Sequence, residues 1–142
     1  MVEKDLFECP NFQDLIEESE VIFHLAAQPS VELCEKNPVS ATRDNFETTQ
    51  FVLKAIVDSK PQPTPKKLVF TSTSAVYGDQ GIAGKISELN QPMPISHYGR
   101  DKLRSENEIL SAAARYPNHL SVGIVRLFNV YGYGQKPGSP YS

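Results

Sequence analysis

Lys67-Leu-Val-Phe-Thr-Ser72 is a short apolar run that passes directly into further hydroxyls at Thr73 and Ser74. A run this short, rich in β-forming residues, reads as a strand buried on both faces. Val21-Ile-Phe-His-Leu-Ala-Ala27 and Val122-Gly-Ile-Val-Arg-Leu-Phe128 read the same way. Between these runs the pattern changes to helical spacing. One helix is expected from near Pro38, suited to a first turn, to about Ser59, with Phe46, Leu53, Ile56 and Val57 on one apolar stripe. Pro61-Gln-Pro-Thr-Pro65 stops it and forms a stiff, exposed link to the next strand. A second helix is expected from Ser96, its N-cap, to Arg115, with Pro117 beyond its end, and a shorter one over Asn11 to Glu18. Strands alternating with helices of this length predict βαβ crossovers and a parallel sheet, an α/β fold.

Composition narrows the function classes. The 142 residues allow one domain, and no internal repeat, low-complexity tract or domain boundary divides them. With 39% hydrophobic and 22% charged residues the chain is neither disordered nor membrane-spanning, and its longest apolar run falls far short of the ~20 residues a span requires. A net charge of −3 carries no footprint for nucleic acid. Cys9 and Cys34 make no disulfide framework and no metal-ligand spacing, so no metal is expected. Met1-Val-Glu-Lys-Asp5 lacks the apolar core of a signal peptide, and a soluble, cytoplasmic protein is the expectation.

In open α/β sheets, ligands bind outside the carboxyl ends of the strands. Here those ends are Ala26-Ala27-Gln28, Ser72-Thr73-Ser74 and Phe128-Asn129. A sharper signal is Tyr98-Gly-Arg-Asp-Lys102 near the start of the second long helix. Residues four apart share one helix face, so phenol and ammonium reach one pocket. A neighbouring cation favours the phenolate and lowers a tyrosine from its usual pKa of about 10, which makes a general base usable near neutrality. Tyr-x-x-x-Lys also occurs by chance on solvated helices, and context decides between the two readings.

That context is Phe23-His-Leu-Ala-Ala27, Val69-Phe-Thr-Ser-Thr-Ser-Ala-Val-Tyr-Gly78, the Tyr98/Lys102 pair and Arg126-Leu-Phe-Asn-Val-Tyr-Gly132, in that order. Together they resemble the extended short-chain dehydrogenase/reductase family, in its NAD-dependent epimerase/dehydratase branch and nearest to UDP-glucose 4-epimerases. The resemblance implies a doubly wound, Rossmann-type NAD-binding domain. It also implies a mechanism: Tyr98 is the catalytic base, Lys102 its partner and a holder of the nicotinamide ribose, and Thr73 the hydroxyl that bonds the reacting sugar oxygen. Leu25, Ala26, Ala27, Asn45 and Phe128 match cofactor contacts, and Asn129 matches a substrate contact. Asp5-Leu6 resembles the acidic-apolar pair that the family sets against adenine. His24, Tyr131 and both cysteines are read as structural.

The implied cofactor is NAD and the implied substrate a nucleotide sugar, most simply a UDP-hexose epimerised at C4 in a homodimer of the full-length enzyme. Ala75 supports epimerisation: dehydrating relatives, and commonly decarboxylating ones, carry a glutamate there, whereas no carboxylate stands between Thr71 and Gly78. The family's glycine fingerprint is absent. Gly132-Tyr-Gly134 is the nearest approach, but position 137 is proline and no helix follows. Residues 1–142 are therefore expected to be part of an NAD-binding domain, without the glycine-rich βαβ unit and the substrate domain, and weak in NAD binding alone. Two rival readings stand beside the epimerase: another sugar-nucleotide reductase, decarboxylase or dehydratase of the family, and a non-catalytic Rossmann-type module.

Overall fold

The computed structural model describes residues 4–81, 85–130 and 132–133. Met1 to Glu3, Tyr131, Gly134 and Pro137, all used in the sequence reading, lie outside the described residues. Three strands form one sheet: β1 (Val21–His24), β2 (Lys66–Thr73) and β3 (Leu120–Leu127). Both pairings are parallel and the order is β1-β2-β3, with Phe23 opposite Val69 and Val69 opposite Gly123. The expected α/β fold with a parallel sheet is thus present. β1 is shorter than its apolar run, because the chain leaves the sheet after His24.

The helices are α1 (Phe12–Glu18), α2 (Val31–Lys36), α3 (Pro38–Thr42), α4 (Thr48–Asp58) and α5 (His97–Arg115). Ser96 caps α5 as expected, its side chain accepting from the Gly99 N–H. The single helix expected from Pro38 to Ser59 is interrupted: residues Arg43–Glu47 form a π-helical turn, in which the Thr48 N–H reaches back five residues to the Arg43 carbonyl. Tertiary bonds account for the wider turn. Asn45 turns inward, its Oδ1 accepting from the Gln28 N–H at 2.8 Å, while its own carbonyl accepts from Ser105 Oγ at 3.0 Å. The sequence reading omitted α2, a six-residue helix capped by Ser30 on the Leu33 N–H.

One face of the sheet carries the core. Leu68 and Phe70 of β2 and Leu120 of β3 pack with Ile16, Val52, Leu53, Ile56 and Ile109 from α1, α4 and α5. Each fully buried side chain of this kind contributes about 1.5–3 kcal/mol. The other face corrects the expectation of strands buried on both sides. Along it lie Val21, Phe23, Val125 and Leu127, with Phe23 66% exposed, because the helices that build the core all meet the opposite face. Lys66, at the start of β2, is buried by a different route: its ammonium donates to the carbonyls of Glu17 and Ser19 and so closes the end of α1.

Candidate active site

A cavity of about 700 Å³ opens where β2 and β3 end. Thr71 to Ala75 form its floor, Leu25 and Ala27 come from the segment after β1, and Leu127 to Val130 come from the end of β3. Tyr98 and Lys102 enter from successive turns of α5. Two glycines let these parts approach. A Cβ on Gly99 would lie 2.7 Å from the Ala75 carbonyl oxygen, so α5 sits directly against the turn that follows Thr73. Gly78 adopts φ +62°, and a Cβ there would meet the Met93 carbonyl at 1.9 Å. That contact brings the segment ending in Ile95 and Ser96 over the cavity as one wall.

Thr73 Oγ1 accepts the Ala75 N–H at 3.1 Å and caps the short 3-10 turn Ser74–Val76. Its own O–H remains a donor toward the cavity it lines. The Lys102 ammonium donates to the Thr71 carbonyl at 2.9 Å and lies 4.6 Å from the centre of the Phe70 ring. It is only 2% exposed, and burial pulls its pKa down to about 8 while the Glu106 carboxylate opposes that fall. His24 has no seat in the cavity lining. Its Nε2 is 3.0 Å from Thr49 Oγ1 and its ring lies beside Phe70. Burial, aided by the Lys102 charge, lowers its pKa to about 4, so near neutrality it is an uncharged core group.

Of the residues singled out in the sequence, Leu25, Ala27, Thr73, Tyr98, Lys102, Phe128 and Asn129 converge on this cavity. Asn45 is one layer behind, pinning Gln28 and thereby the segment from Leu25 to Pro29. Ala26 is exposed beside its two lining neighbours. Asp5 lies apart from the cavity lining, at an exposed turn where it caps the Phe7 N–H and pairs with Arg43 at 2.8 Å. Leu6 packs against the core cluster. Sequence reasoning missed Glu106, which stands four residues beyond Lys102 on the same helix face and accepts from both Ser72 and Arg126. The 98/102/106 spacing was the available signal. Among the described residues that line the cavity there is no aspartate or glutamate.

The chain matches the NAD dependent epimerase/dehydratase family over residues 1–142. It is 37% identical over 126 residues to YtcB of Bacillus subtilis (strain 168), described as an uncharacterized UDP-glucose epimerase, covering 87% of this chain and 37% of that protein. It is 31% identical over 141 residues to a UDP-N-acetyl-alpha-D-glucosaminuronate decarboxylase of Bacillus cytotoxicus, covering 93% of this chain and 40% of the relative. The solved structure of MoeE5 in complex with UDP-glucuronic acid and NAD superposes with a TM-score of 0.84 at 36% identity, over 97% of this chain and 44% of that one. The chain thus spans well under half the length of these relatives. With its parallel Rossmann-type sheet and this match along the whole sequence, the chain belongs to the NAD dependent epimerase/dehydratase family.

Proposed function

We propose that this chain supplies the catalytic part of an enzyme that epimerises a nucleotide sugar with NAD, at C4 of a UDP-hexose and through a transient 4-keto sugar. One observation carries the reading. Thr73, Tyr98 and Lys102 line a single cavity that contains no carboxylate among its described lining residues. Epimerisation needs one proton acceptor at the reacting hydroxyl, whereas loss of water needs a second acid/base at the neighbouring carbon. Ala75, beside Thr73 in the lining, cannot transfer a proton.

In this mechanism the Tyr98 phenolate takes the proton of the C4 hydroxyl and later returns it. Lys102 provides the cation that favours the phenolate, fixed in place by its bond to Thr71. Thr73 receives the Ala75 N–H, so its O–H is available to hold the reacting sugar oxygen. The residues also fit the cofactor. An ammonium has three N–H donors, one of which Lys102 gives to Thr71; the others suit ribose hydroxyls. Leu25, Ala27 and Phe128 offer an apolar wall to a nicotinamide ring. Held against Leu25, Ala27, Phe128 and Lys102, NAD would supply the hydride-accepting and hydride-donating chemistry at the sugar carbon. Asn129 is assigned to the sugar, Ala26 and Asn45 to the nicotinamide side, and Asp5 with Leu6 to the adenine side. The longer enzyme, of which residues 1–142 form part of the NAD-binding domain, is read as a cytoplasmic homodimer.

The competing reading is decarboxylation, favoured by the Bacillus cytotoxicus relative. Incubating the protein that carries this chain with UDP-hexoses and UDP-hexuronates, and following product mass, separates the two. A stereoisomer of unchanged mass is expected. A product lighter by carbon dioxide or water overturns the proposal. Tyr98→Phe is expected to abolish turnover and leave NAD binding intact; wild-type turnover in that variant would remove Tyr98 from its role.

A further inference from the structure

Phe128 stands one residue beyond β3, outside the strand pairing, and is 59% exposed, so the sheet does not fix its ring. The ring nevertheless has a seat. It stacks on Tyr77, with centroids 6.5 Å apart and planes 29° from parallel, within the range where offset aromatic pairs attract. Tyr77 is only 3% exposed, and its N–H donates to the Ser74 carbonyl at 3.0 Å, which ties it to the turn that follows Thr73. On Tyr77 also rests the Arg126 guanidinium, 4.8 Å from the ring centre. Arg126 is held in turn by the buried Glu106, its Nε 2.9 Å from Oε1 and its Nη2 2.6 Å from Oε2, while Ser72 Oγ donates to the same carboxylate. Arginine suits this place because one planar group grips the carboxylate as a fork and lays a flat face on an aromatic ring. Every step from Glu106 to Phe128 is thus a direct contact, and the last residue lines the cavity.

We propose that Tyr77, carrying the Arg126 guanidinium and the Phe128 ring, is a positioning residue that sets Phe128 as the wall facing the nicotinamide. The proposal rests on the assignment of Phe128 to that ring under the epimerase reading. Tyr77 itself is absent from the cavity lining, so it acts through Phe128. Because its backbone belongs to the turn that Thr73 caps, it also ties the placement of the cofactor wall to that of the hydroxyl proposed to hold the sugar.

The test compares two probes in the longer protein that carries this chain, stripped of bound nucleotide: NADH, and ADP-ribose, which lacks the nicotinamide. Tyr77→Leu removes the ring and keeps an apolar side chain. It is expected to weaken NADH about 2- to 10-fold by calorimetry and to leave ADP-ribose unchanged. Tyr77→Phe keeps the ring and is expected to bind both as wild type does. A merely loosened fold would weaken both probes together; that result, or unchanged NADH binding in Tyr77→Leu, overturns the proposal. Phe128→Leu separates the proposal from the assignment beneath it. Unchanged NADH binding in that variant would remove Phe128 from the nicotinamide, whereas weakened binding there but not in Tyr77→Leu would sink this proposal alone. Should Tyr77→Leu lose its cooperative melt, NMR of the wild-type 142-residue chain decides: nuclear Overhauser contacts between the Tyr77 and Phe128 rings are expected, and their absence overturns the proposal.

Discussion

Replacing Lys102 by methionine is expected to stabilise the fold near neutrality. In the folded chain Lys102 has a pKa of about 8, against 10.5 for an ordinary lysine. Below pH 8 both folded and unfolded chains hold the proton, and the folded state bears the whole cost of burying it. Between pH 8 and 10.5 the unfolded chain binds more protons, so stability rises with pH across that window and levels off above it. At about 1.36 kcal/mol per pH unit, the cost present at pH 7 is about 3 kcal/mol. Methionine removes it, fills the volume of the lysine stem and places a polarisable sulfur against Phe70. It also leaves the Thr71 carbonyl without its Lys102 donor, a loss of about 1 kcal/mol. The net expectation is a variant about 2 kcal/mol more stable at pH 7, with the advantage vanishing as pH approaches 10.5. Paired urea titrations of wild type and variant across this range measure the difference directly. A variant less stable than wild type at pH 7, or a difference that does not shrink with pH, would refute the account of Lys102 as a charge buried at a cost.

His24 gives the acid counterpart. Because its pKa is about 4 in the folded chain against 6.5 ordinarily, wild type should lose stability as pH falls from 6.5 toward 4, and His24→Gln should lose less, as read by thermal melts over that range. Gly99→Ala should cost about 1–3 kcal/mol, since overpacking against the Ala75 carbonyl forces α5 away from the turn it touches; a melt equal to wild type would show that contact to be slack. Phe70→Ala should cost about 3–5 kcal/mol in urea unfolding, since the ring is wholly buried in the core cluster and also underlies Lys102.

The sheet was legible because apolar runs of strand length stood out between helical stretches, and the cavity was legible because Thr73 follows one such run and Tyr98 and Lys102 share a helix face. Other features had no local signature. The run Val21 to Ala27 looks the same whether one or both faces are covered, so the exposure of Phe23 is decided by which helices lie nearby. The stripe of Phe46, Leu53, Ile56 and Val57 fits an uninterrupted α-helix, and the π-turn at Arg43–Glu47 is fixed by Gln28 and Ser105, distant in sequence. α2 is too short for a periodic stripe, and its cap by Ser30 shows only in the folded chain. Arg126 reads as an interruption of an apolar strand until Glu106 is brought to it by the packing of α5.

The strand order has a consequence for how the molecule is made. Among the described residues β1, β2 and β3 lie side by side in the order in which they are synthesised, so of these three none must insert between two already paired. The sheet can therefore grow in step with translation, β2 onto β1 once α4 has been made and β3 onto β2 once α5 has been made. Both pairings join segments far apart in sequence, which places them among the slow steps of folding. Arg126 in β3, and Phe128 and Asn129 just after it, are made later than the cavity-lining residues from Leu25 to Lys102. Until then Glu106 has no guanidinium to meet it and the cavity lacks a wall. A nascent chain stalled ahead of β3 thus leaves Glu106 without its guanidinium and the far edge of β2 without its partner strand.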